Sequence, residues 1–275
     1  MTKIEFPSEI PTTDSSTSCG ISISDSSNRD SDSNFNYPPS YASLLPIQSS
    51  SVRVCTIALT GTDKIRLIGT PGSITAPLRS SILYSWGTIQ RESNYAGAHE
   101  FKLLGAPWNS HGPDSVRSRR LLTAILYTMA RAGWNLIHAT DVSQKDDDKD
   151  TLFFELKTPD PDVEMFTVSF NKSDRIRVLD APSMMLLVKQ AIAAQWKYGV
   201  QKEQDYCGAM EVKLQGNPFS TRGDEFVFSR MMLAQMIANF KGAGFQLYSS
   251  LYSGVGKDEN ELECWILRKA NSTWC

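Results

Sequence analysis

The fold of this chain is decided by a stretch that occurs twice, GAHEFKLLGAPW at residues 97–108 and GAMEVKLQGNPF at residues 208–219. The offset from Gly97 to Gly208 is 111 residues, and the same offset aligns Gly133-Trp with Gly244-Phe further along the chain. Carried backward, it also aligns the Asp-x-Ile-Arg stretches at 63–66 and 174–177. A period this long indicates two domain-sized copies rather than a solenoid of short repeats.

Both copies predict the same order of elements. Alternating β-branched residues at Val52–Leu59 predict the first strand, with Met165–Phe170 as its counterpart. The predicted order in each copy is ββαβαββ, which fits an α+β fold with helices on one face of a mainly antiparallel sheet. We therefore expect one copy at residues 51–162 and a second at 163–275, packed about a pseudo-twofold axis as in a fused homodimer.

Apolar residues at helical spacing predict the longest helix of each copy. In the first copy this helix spans Asp114–Ala132, and Gly133 favours a C-terminal stop. Its apolar face comprises Val116, Leu121, Leu122, Ile125, Leu126 and Met129. Equivalents in the second copy include Val227, Met231, Ile237 and Phe240.

Residues 1–50 differ in composition from the rest of the chain. They contain fourteen serines and six acidic but only two basic residues. A segment of low hydrophobicity and excess like charge buries too little apolar surface to offset the conformational entropy of folding. The sequence therefore predicts a disordered N-terminal tail.

The composition of the whole chain excludes several classes of protein. The 275 residues are 41% hydrophobic and carry a formal net charge of −2, which excludes a wholly disordered chain and gives no general attraction to nucleic acid. The chain contains no run of about 18 apolar residues, which is the pattern that would predict a membrane span. The five cysteines are odd in number and none form a C-x-x-C pair, and no secretory signal is visible. We expect a cytoplasmic or nuclear protein with reduced thiols, not a secreted one.

The most specific short motif lies in the tail. Pro38, Pro39 and Tyr41 form a Pro-Pro-x-Tyr sequence, which resembles the ligand consensus of WW domains. Consecutive prolines restrict the backbone to a polyproline II helix before binding, and the tyrosine offers a large apolar ring with a polar tip. The motif predicts a WW-domain partner, although it is also compatible with a semi-apolar lead into the folded body.

The loop that enters each main helix is a second candidate site. In the first copy Trp108, Asn109 and His111 lie in this loop, and Arg119 follows within the helix. In the second copy Arg230 is the counterpart of Arg119. A glycine-rich loop at a helix N-terminus can present free N–H groups to an anion, although the loops are also compatible with a tight crossover capped by an aromatic ring.

Other charged residues point to weaker alternatives. Glu100 and Lys102 share one face of a strand and could form an ion pair. Arg66 and its counterpart Arg177 suggest a salt bridge within each hairpin or between the copies. Arginines at 117, 119, 120 and 131 would give the first main helix a basic face. No histidine or cysteine spacing predicts a metal site or a cofactor, and no catalytic set can be assigned.

These observations favour a non-enzymatic interaction or adaptor protein. In this hypothesis the tail recruits a WW-domain protein, and the duplicated body binds a second partner. One alternative is an enzyme, or a protein that binds a small molecule or anion, with its site at the Gly-x-Pro-aromatic loops or between the copies. A third hypothesis, nucleic-acid binding through the arginines of the main helix, is disfavoured by the near-neutral charge.

Overall fold

The structure is a computed structural model that describes residues 53–140, 148–251 and 261–274. Both copies lie within one compact unit of the chain. The first copy contains β1 (Val54–Thr60), β2 (Lys64–Ile68), α1 (Thr75–Ser85), β3 (Ile89–Tyr95), β4 (Ala98–Leu103), α2 (Pro113–Arg131), β5 (Trp134–Thr140) and β6 (Asp148–Leu156). The second contains β7 (Met165–Asn171), β8 (Arg175–Leu179), α3 (Met185–Gln195), β9 (Val200–Tyr206), β10 (Ala209–Leu214), α4 (Asp224–Gly242), β11 (Phe245–Leu251) and β12 (Glu261–Lys269). The predicted tail, including the Pro-Pro-x-Tyr motif, lies outside the described residues.

Each copy forms one six-stranded antiparallel sheet with two helices. The strand order is β3-β4-β2-β1-β6-β5 in the first sheet, and the second sheet has the same order, β9-β10-β8-β7-β12-β11. Hairpins at residues 61–63 and 172–174 join the first two strands of each copy. The predicted fold class, an α+β fold in two tandem copies, is therefore confirmed.

The element order is ββαββαββ rather than the predicted ββαβαββ. The additional strands are β3, with sequence IQRESNY, and β9, with sequence VQKEQDY. Both are edge strands, and most of their side chains are exposed. Charged residues at a sheet edge discourage pairing with other chains, and they also remove the alternation of apolar and polar residues that reveals a half-buried strand.

The helices of each copy cover one face of their own sheet. In the first copy, Ile57 of β1 and Phe101 of β4 pack against Leu121 and Ile125 of α2, all fully buried. In the second copy, the ring of Phe166 on β7 lies 5.4 Å from that of Phe240 on α4, in an edge-to-face arrangement. Each copy therefore has an apolar core between its sheet and its two helices, and the first core continues into Leu251, Cys264 and Ile266 of the second sheet.

The two copies stack in the layer order sheet, helices, sheet, helices. Helix α2 packs on its own sheet with one side and on the second sheet with the other. Consequently β7 and β8 are buried on both faces, whereas the alternate positions of β2 are partly buried at Lys64 and Arg66 and exposed at Ile68. A pseudo-twofold axis pairs like surfaces, and β5 and β11 do lie side by side. The main contact instead joins unlike surfaces, because the helix layer of the first copy covers the second sheet.

Helix α4 uses a different core face from the predicted one. Met232, Met236 and Phe240 face the core, whereas Val227 and Met231 are exposed. The prediction combined residues from two sides because α4 is apolar around most of its circumference. Periodicity then cannot show which side of the helix packs on its own sheet.

Candidate functional site

A cleft of about 360 Å³ lies beside the start of α2 in the first copy. Its lining includes Trp86, Thr88, Asn109, His111, Asp114 and Arg117. The glycine- and proline-containing loop after β4 carries Asn109 and His111, and the segment after α1 carries Trp86 and Thr88. An aromatic ring beside an imidazole, an amide and paired charges could hold a small polar ligand.

The charged groups of this cleft already have partners. Gly112 adopts a φ of +59°, which turns the chain into α2 at Pro113. Arg117 pairs with Asp114 at 3.0 Å, and its guanidinium lies 4.8 Å from the centroid of the Trp86 ring. Arg117 also donates a hydrogen bond to the carbonyl of Trp86. The negative charge of Asp114 therefore offsets the positive charge of Arg117 and the positive end of the α2 dipole, so the cleft has little net attraction for an anion.

The structure brings together only two of the five residues predicted for a ligand site. Asn109 and His111 both line the cleft. Trp108 is buried in the core and donates a hydrogen bond from Nε1 to the carbonyl of Lys64 at 2.9 Å. Arg119 is fully buried. Arg230 is exposed on α4, with its guanidinium 4.4 Å from the Phe226 ring centroid.

Arg117 is the cleft residue that was not included in the predicted ligand set. It lies three residues after Asp114, at the spacing of neighbours on one helix face. Arg119, only two residues further along α2, projects from another face of the helix. The sequence signal that could have identified Arg117 was therefore its helical spacing from the loop, which favours position 117 over position 119.

In the second copy the corresponding space is occupied by Tyr198. Its ring lies 5.4 Å from that of Trp196, and its hydroxyl donates a hydrogen bond to Glu225 at 2.5 Å. The segment between α3 and β9 is one residue longer than that between α1 and β3, and the extra length accommodates the tyrosine. The two copies thus differ at this point, with an open cleft in the first and the partly exposed ring of Tyr198 in the second.

The outer face of the first sheet carries a cluster of arginine, glutamate and tyrosine. Arg66 Nε donates a hydrogen bond to Glu100 Oε2 at 2.7 Å, and its guanidinium lies 4.1 Å from the Tyr95 ring centroid. Lys102, the expected partner of Glu100, lies 3.8 Å from Asp63 instead. Residues opposite each other on paired strands are closer than residues two apart on one strand, so Glu100 pairs across the sheet. The second sheet repeats the cluster with Arg177, Glu211 and Tyr206.

Contact between the copies is made by the side of α2 that faces the second sheet. Val116 forms a buried apolar cluster with Leu179 of β8 and Ala209 of β10. The hydroxyls of Thr123 and Thr167 are hydrogen-bonded at 2.6 Å. An apolar cluster and a satisfied polar pair together indicate a permanent interface inside the chain.

The arginines of α2 do not form the free basic face that the sequence suggested. Arg120 Nε donates a hydrogen bond to Asp180 Oδ1 at 2.8 Å, and its other nitrogens donate to two backbone carbonyls of the second copy. Arg119 lies near Cys264 of the second sheet, where burial raises the pKa of that thiol to about 11. Arg117 is exposed but pairs with Asp114 in the cleft, and Arg131 is exposed at the end of α2. This placement gives no support to nucleic-acid binding through α2.

Helix α4 presents an apolar surface to solvent on the side that corresponds to the interface side of α2. Phe226 is 45% exposed, Val227 53% and Met231 45%, and Ala234 and Ala238 are exposed on the same side. We call these five residues the α4 outer stripe. The equivalent positions in α2 are 115, 116, 120, 123 and 127, which lie at or beside the contact with the second sheet.

The outer face of the first sheet also carries exposed apolar and aromatic residues. Ile68 is 45% exposed and Tyr95 is 55% exposed. They share this face with the half-buried Arg66 and with Ala98 and Glu100, which are themselves buried. We call these five residues the open face. Their counterparts in the second sheet are covered by α2.

Two further properties concern the described ranges only. Within residues 53–140, 148–251 and 261–274, no helix is long and apolar enough to cross a membrane. In the same ranges, no cluster of three histidine, cysteine or acidic side chains is arranged to bind a metal ion.

Comparison with known proteins identifies the repeated unit. A single domain-family model matches the chain twice, over residues 53–155 and 164–268. These matches coincide with the two six-stranded units described above. Neither the curated proteins nor the solved structures contain a match to the chain.

Proposed function

We propose that this chain, which belongs to the domain family whose model it matches twice in tandem, is a non-enzymatic interaction protein. In this proposal the duplicated body binds a partner protein through the α4 outer stripe, and the N-terminal tail recruits a WW-domain protein. The observation that carries the proposal is the exposure of the stripe, because α2 buries the same side against protein.

Exposed apolar side chains support a binding role when they are contiguous. Val227, Met231, Ala234 and Ala238 follow one another at helical spacing, and Phe226 flanks them. Single exposed apolar residues are common on proteins, but a continuous stripe is typical of an interaction site. Amphipathic helices bind partner surfaces through this spacing.

The WW-domain part of the proposal rests on the sequence of the tail. Pro38, Pro39 and Tyr41 lie outside the described residues, so the argument depends on the motif chemistry. A tethered motif raises the effective concentration of its ligand near whatever the body binds. A cytoplasmic or nuclear location belongs to this proposal, because Cys207 of the body is an exposed free thiol.

A binding titration tests the tail. The full chain, a Tyr41→Ala variant and a Phe35→Ala variant are titrated into a panel of purified WW domains by calorimetry. We expect the wild type and Phe35→Ala to bind some WW domains equally well, and Tyr41→Ala to lose that binding. Equal binding by all three chains would contradict the WW-domain proposal.

Affinity purification tests the body. The full chain is compared with a Val227→Asp variant on the stripe and a Leu186→Asp variant, which places the same charge at an exposed position on α3. We expect Leu186→Asp to retain the protein partners of the wild type and Val227→Asp to lose at least one. Retention of all partners by Val227→Asp would remove the stripe from the proposal.

Ligand binding in the first-copy cleft is a second candidate function. It is favoured by the difference between the copies, since the first keeps an open space of about 360 Å³ where Tyr198 fills the second. Thermal-shift measurements with a panel of small polar molecules that carry no net charge test it. A ligand of the cleft should raise the melting temperature of the wild type and of Arg131→Met, but not of Arg117→Met. Equal shifts in all three chains would place the binding elsewhere.

A further inference from the structure

The contact between the copies provides a template for contact between chains. On the second sheet, Val116 of α2 packs against Leu179 and Ala209, and Tyr206 lies at the edge of this cluster. This contact joins a helix side to the outer face of a sheet, so each copy has one surface of each kind. The internal contact uses the helix side of the first copy and the sheet face of the second.

One surface of each kind is therefore left over. The α4 outer stripe is the helix side of the second copy, and the open face is the sheet face of the first. Residue by residue, Val227 replaces Val116, while Ile68, Ala98 and Tyr95 replace Leu179, Ala209 and Tyr206. All four replacements keep the apolar or aromatic character of the position, so the unused surfaces could rebuild the same cluster.

The charged contact between Arg120 and Asp180 loses both of its partners in the unused surfaces. Arg120 pairs with Asp180 inside the chain, and their counterparts are Met231 and Gly69. Both charges are absent, so docking would leave neither of them unpaired. The backbone is retained, since Asp180 has a φ of +62° and Gly69 a φ of +68°.

The charges that remain on the open face are already neutralised. Arg66 is hydrogen-bonded to Glu100, and its guanidinium lies over Tyr95. The equivalent pair, Arg177 and Glu211, is buried beneath α2 in the second sheet. A pre-formed pair of this kind can therefore be covered by a helix in this fold.

We propose that chains of this protein associate head to tail, with the α4 outer stripe of one chain on the open face of the first sheet of another. This proposal rests on the proposed function, because it names a second copy of the chain as the partner of the stripe. The contact is heterologous, so each dimer retains one stripe and one open face. Such contacts continue into filaments or close into rings.

Sedimentation of the full chain over a range of concentrations tests the assembly. The samples are the wild type, Val227→Asp on the stripe, Ile68→Asp on the open face, and Leu186→Asp as the charge-matched control. We expect the mass of the wild type and of Leu186→Asp to rise above that of a dimer as concentration increases. Val227→Asp and Ile68→Asp should each remain monomeric.

Mixing the two monomeric variants provides the decisive sample. Val227→Asp keeps an intact open face, and Ile68→Asp keeps an intact stripe. Their mixture should therefore form a dimer and nothing larger. Dimer formation also shows that both variants are folded, so a loss of assembly cannot be attributed to unfolding.

Several results would overturn the assembly. A wild type that stays monomeric at every concentration excludes head-to-tail assembly. Assembly that the Ile68→Asp substitution leaves unchanged also excludes it, because the contact would then join two stripes. A monomeric wild type combined with partner loss by Val227→Asp in the affinity purification would overturn self-association and leave the proposed function standing. If Val227→Asp retains its partners in the affinity purification, and Val227→Asp and Ile68→Asp both sediment like the wild type, self-association and the proposed function are both overturned.

Discussion

Replacing Asp160 with asparagine should destabilise the body strongly, because this residue neutralises a buried arginine between the copies. Asp160 Oδ2 accepts hydrogen bonds from Arg268 Nη2 at 2.7 Å and from Asn271 Nδ2 at 2.8 Å. Arg268 Nη1 also donates to Asn135 Oδ1 of the first copy at 2.8 Å. The cluster therefore links β5, the segment between the copies, and β12.

The expected loss follows from burial. Arg268 is fully buried and Asp160 is 1% exposed, so water cannot solvate the arginine once its partner is neutral. Breaking a buried ion pair by removing one partner costs about 3–5 kcal/mol. We expect a value of about 3 kcal/mol, because the asparagine oxygen can still accept a hydrogen bond. For a unit of this size that corresponds to a fall of roughly 6–12 °C in melting temperature.

The matched control is Glu164→Gln, a substitution with the same chemistry at an exposed pair. Glu164 Oε1 lies 2.7 Å from Lys269 Nζ, and both side chains are more than 40% exposed. Exposed pairs of this kind contribute about 0–1 kcal/mol. The two pairs are close in sequence and have similar bond lengths, so the comparison isolates burial.

Urea denaturation of both variants, followed by tryptophan fluorescence and by circular dichroism, gives the free energies of unfolding. The Asp160→Asn midpoint should fall well below that of the wild type, and the Glu164→Gln midpoint should stay close to it. If the two variants lose the same amount of stability, burial does not control the contribution of the Asp160–Arg268 pair, and this reasoning fails.

Three further predictions concern titration, thiol chemistry and the core. Burial raises the pKa of Asp160, but its hydrogen bonds with Arg268 and with Asn271 outweigh that effect and lower it overall. The stabilisation is thus complete above the unfolded pKa of about 3.9 and is lost as pH falls through the lower folded value, so acid should destabilise the wild type more steeply than Asp160→Asn in urea titrations. Burial raises the pKa of the Cys55 thiol to about 12, so it should react with a thiol reagent at pH 8 only after unfolding, whereas the exposed Cys207 reacts at once; mass spectrometry locates the label, and early labelling of Cys55 would contradict the buried position. Trp108→Ala should cost about 3–5 kcal/mol in urea, and a loss below about 1 kcal/mol would show that the indole is not part of the core.

The local pattern of apolar and polar residues was sufficient to predict most of the helices and strands. Residues 54–59 of the strand predicted at Val52–Leu59 belong to β1, and the helix predicted at Asp114–Ala132 differs from α2 by one residue at each end. These segments alternate or repeat their apolar residues because one side of each packs on a core. The edge strands β3 and β9 lack that pattern, since neither side of them is consistently buried.

The candidate site depended more on contacts between distant parts of the chain. The sequence identified the loop that contains Asn109 and His111, and the structure places both in the cleft. It could not separate them from Trp108, which lies in the same loop but points into the core. Arg117 joined the site because Trp86, 31 residues earlier in the sequence, packs beside it. Sequence spacing does not report a contact of that range.

The sequence by itself determined that the chain contains two copies of one α+β domain, because a repeat at constant offset preserves the turns and the core positions of both copies. Only the tertiary structure decided how the copies use their equivalent surfaces. Val116 and Val227 occupy the same position of the repeat, yet the first is buried against the second sheet and the second is exposed. The physical reason is that stacking the copies buries the helix side of the first and the sheet face of the second, and it leaves one surface of each kind at the ends of the stack. The apolar pattern in the sequence is the same in both copies, so it does not show which surfaces are buried.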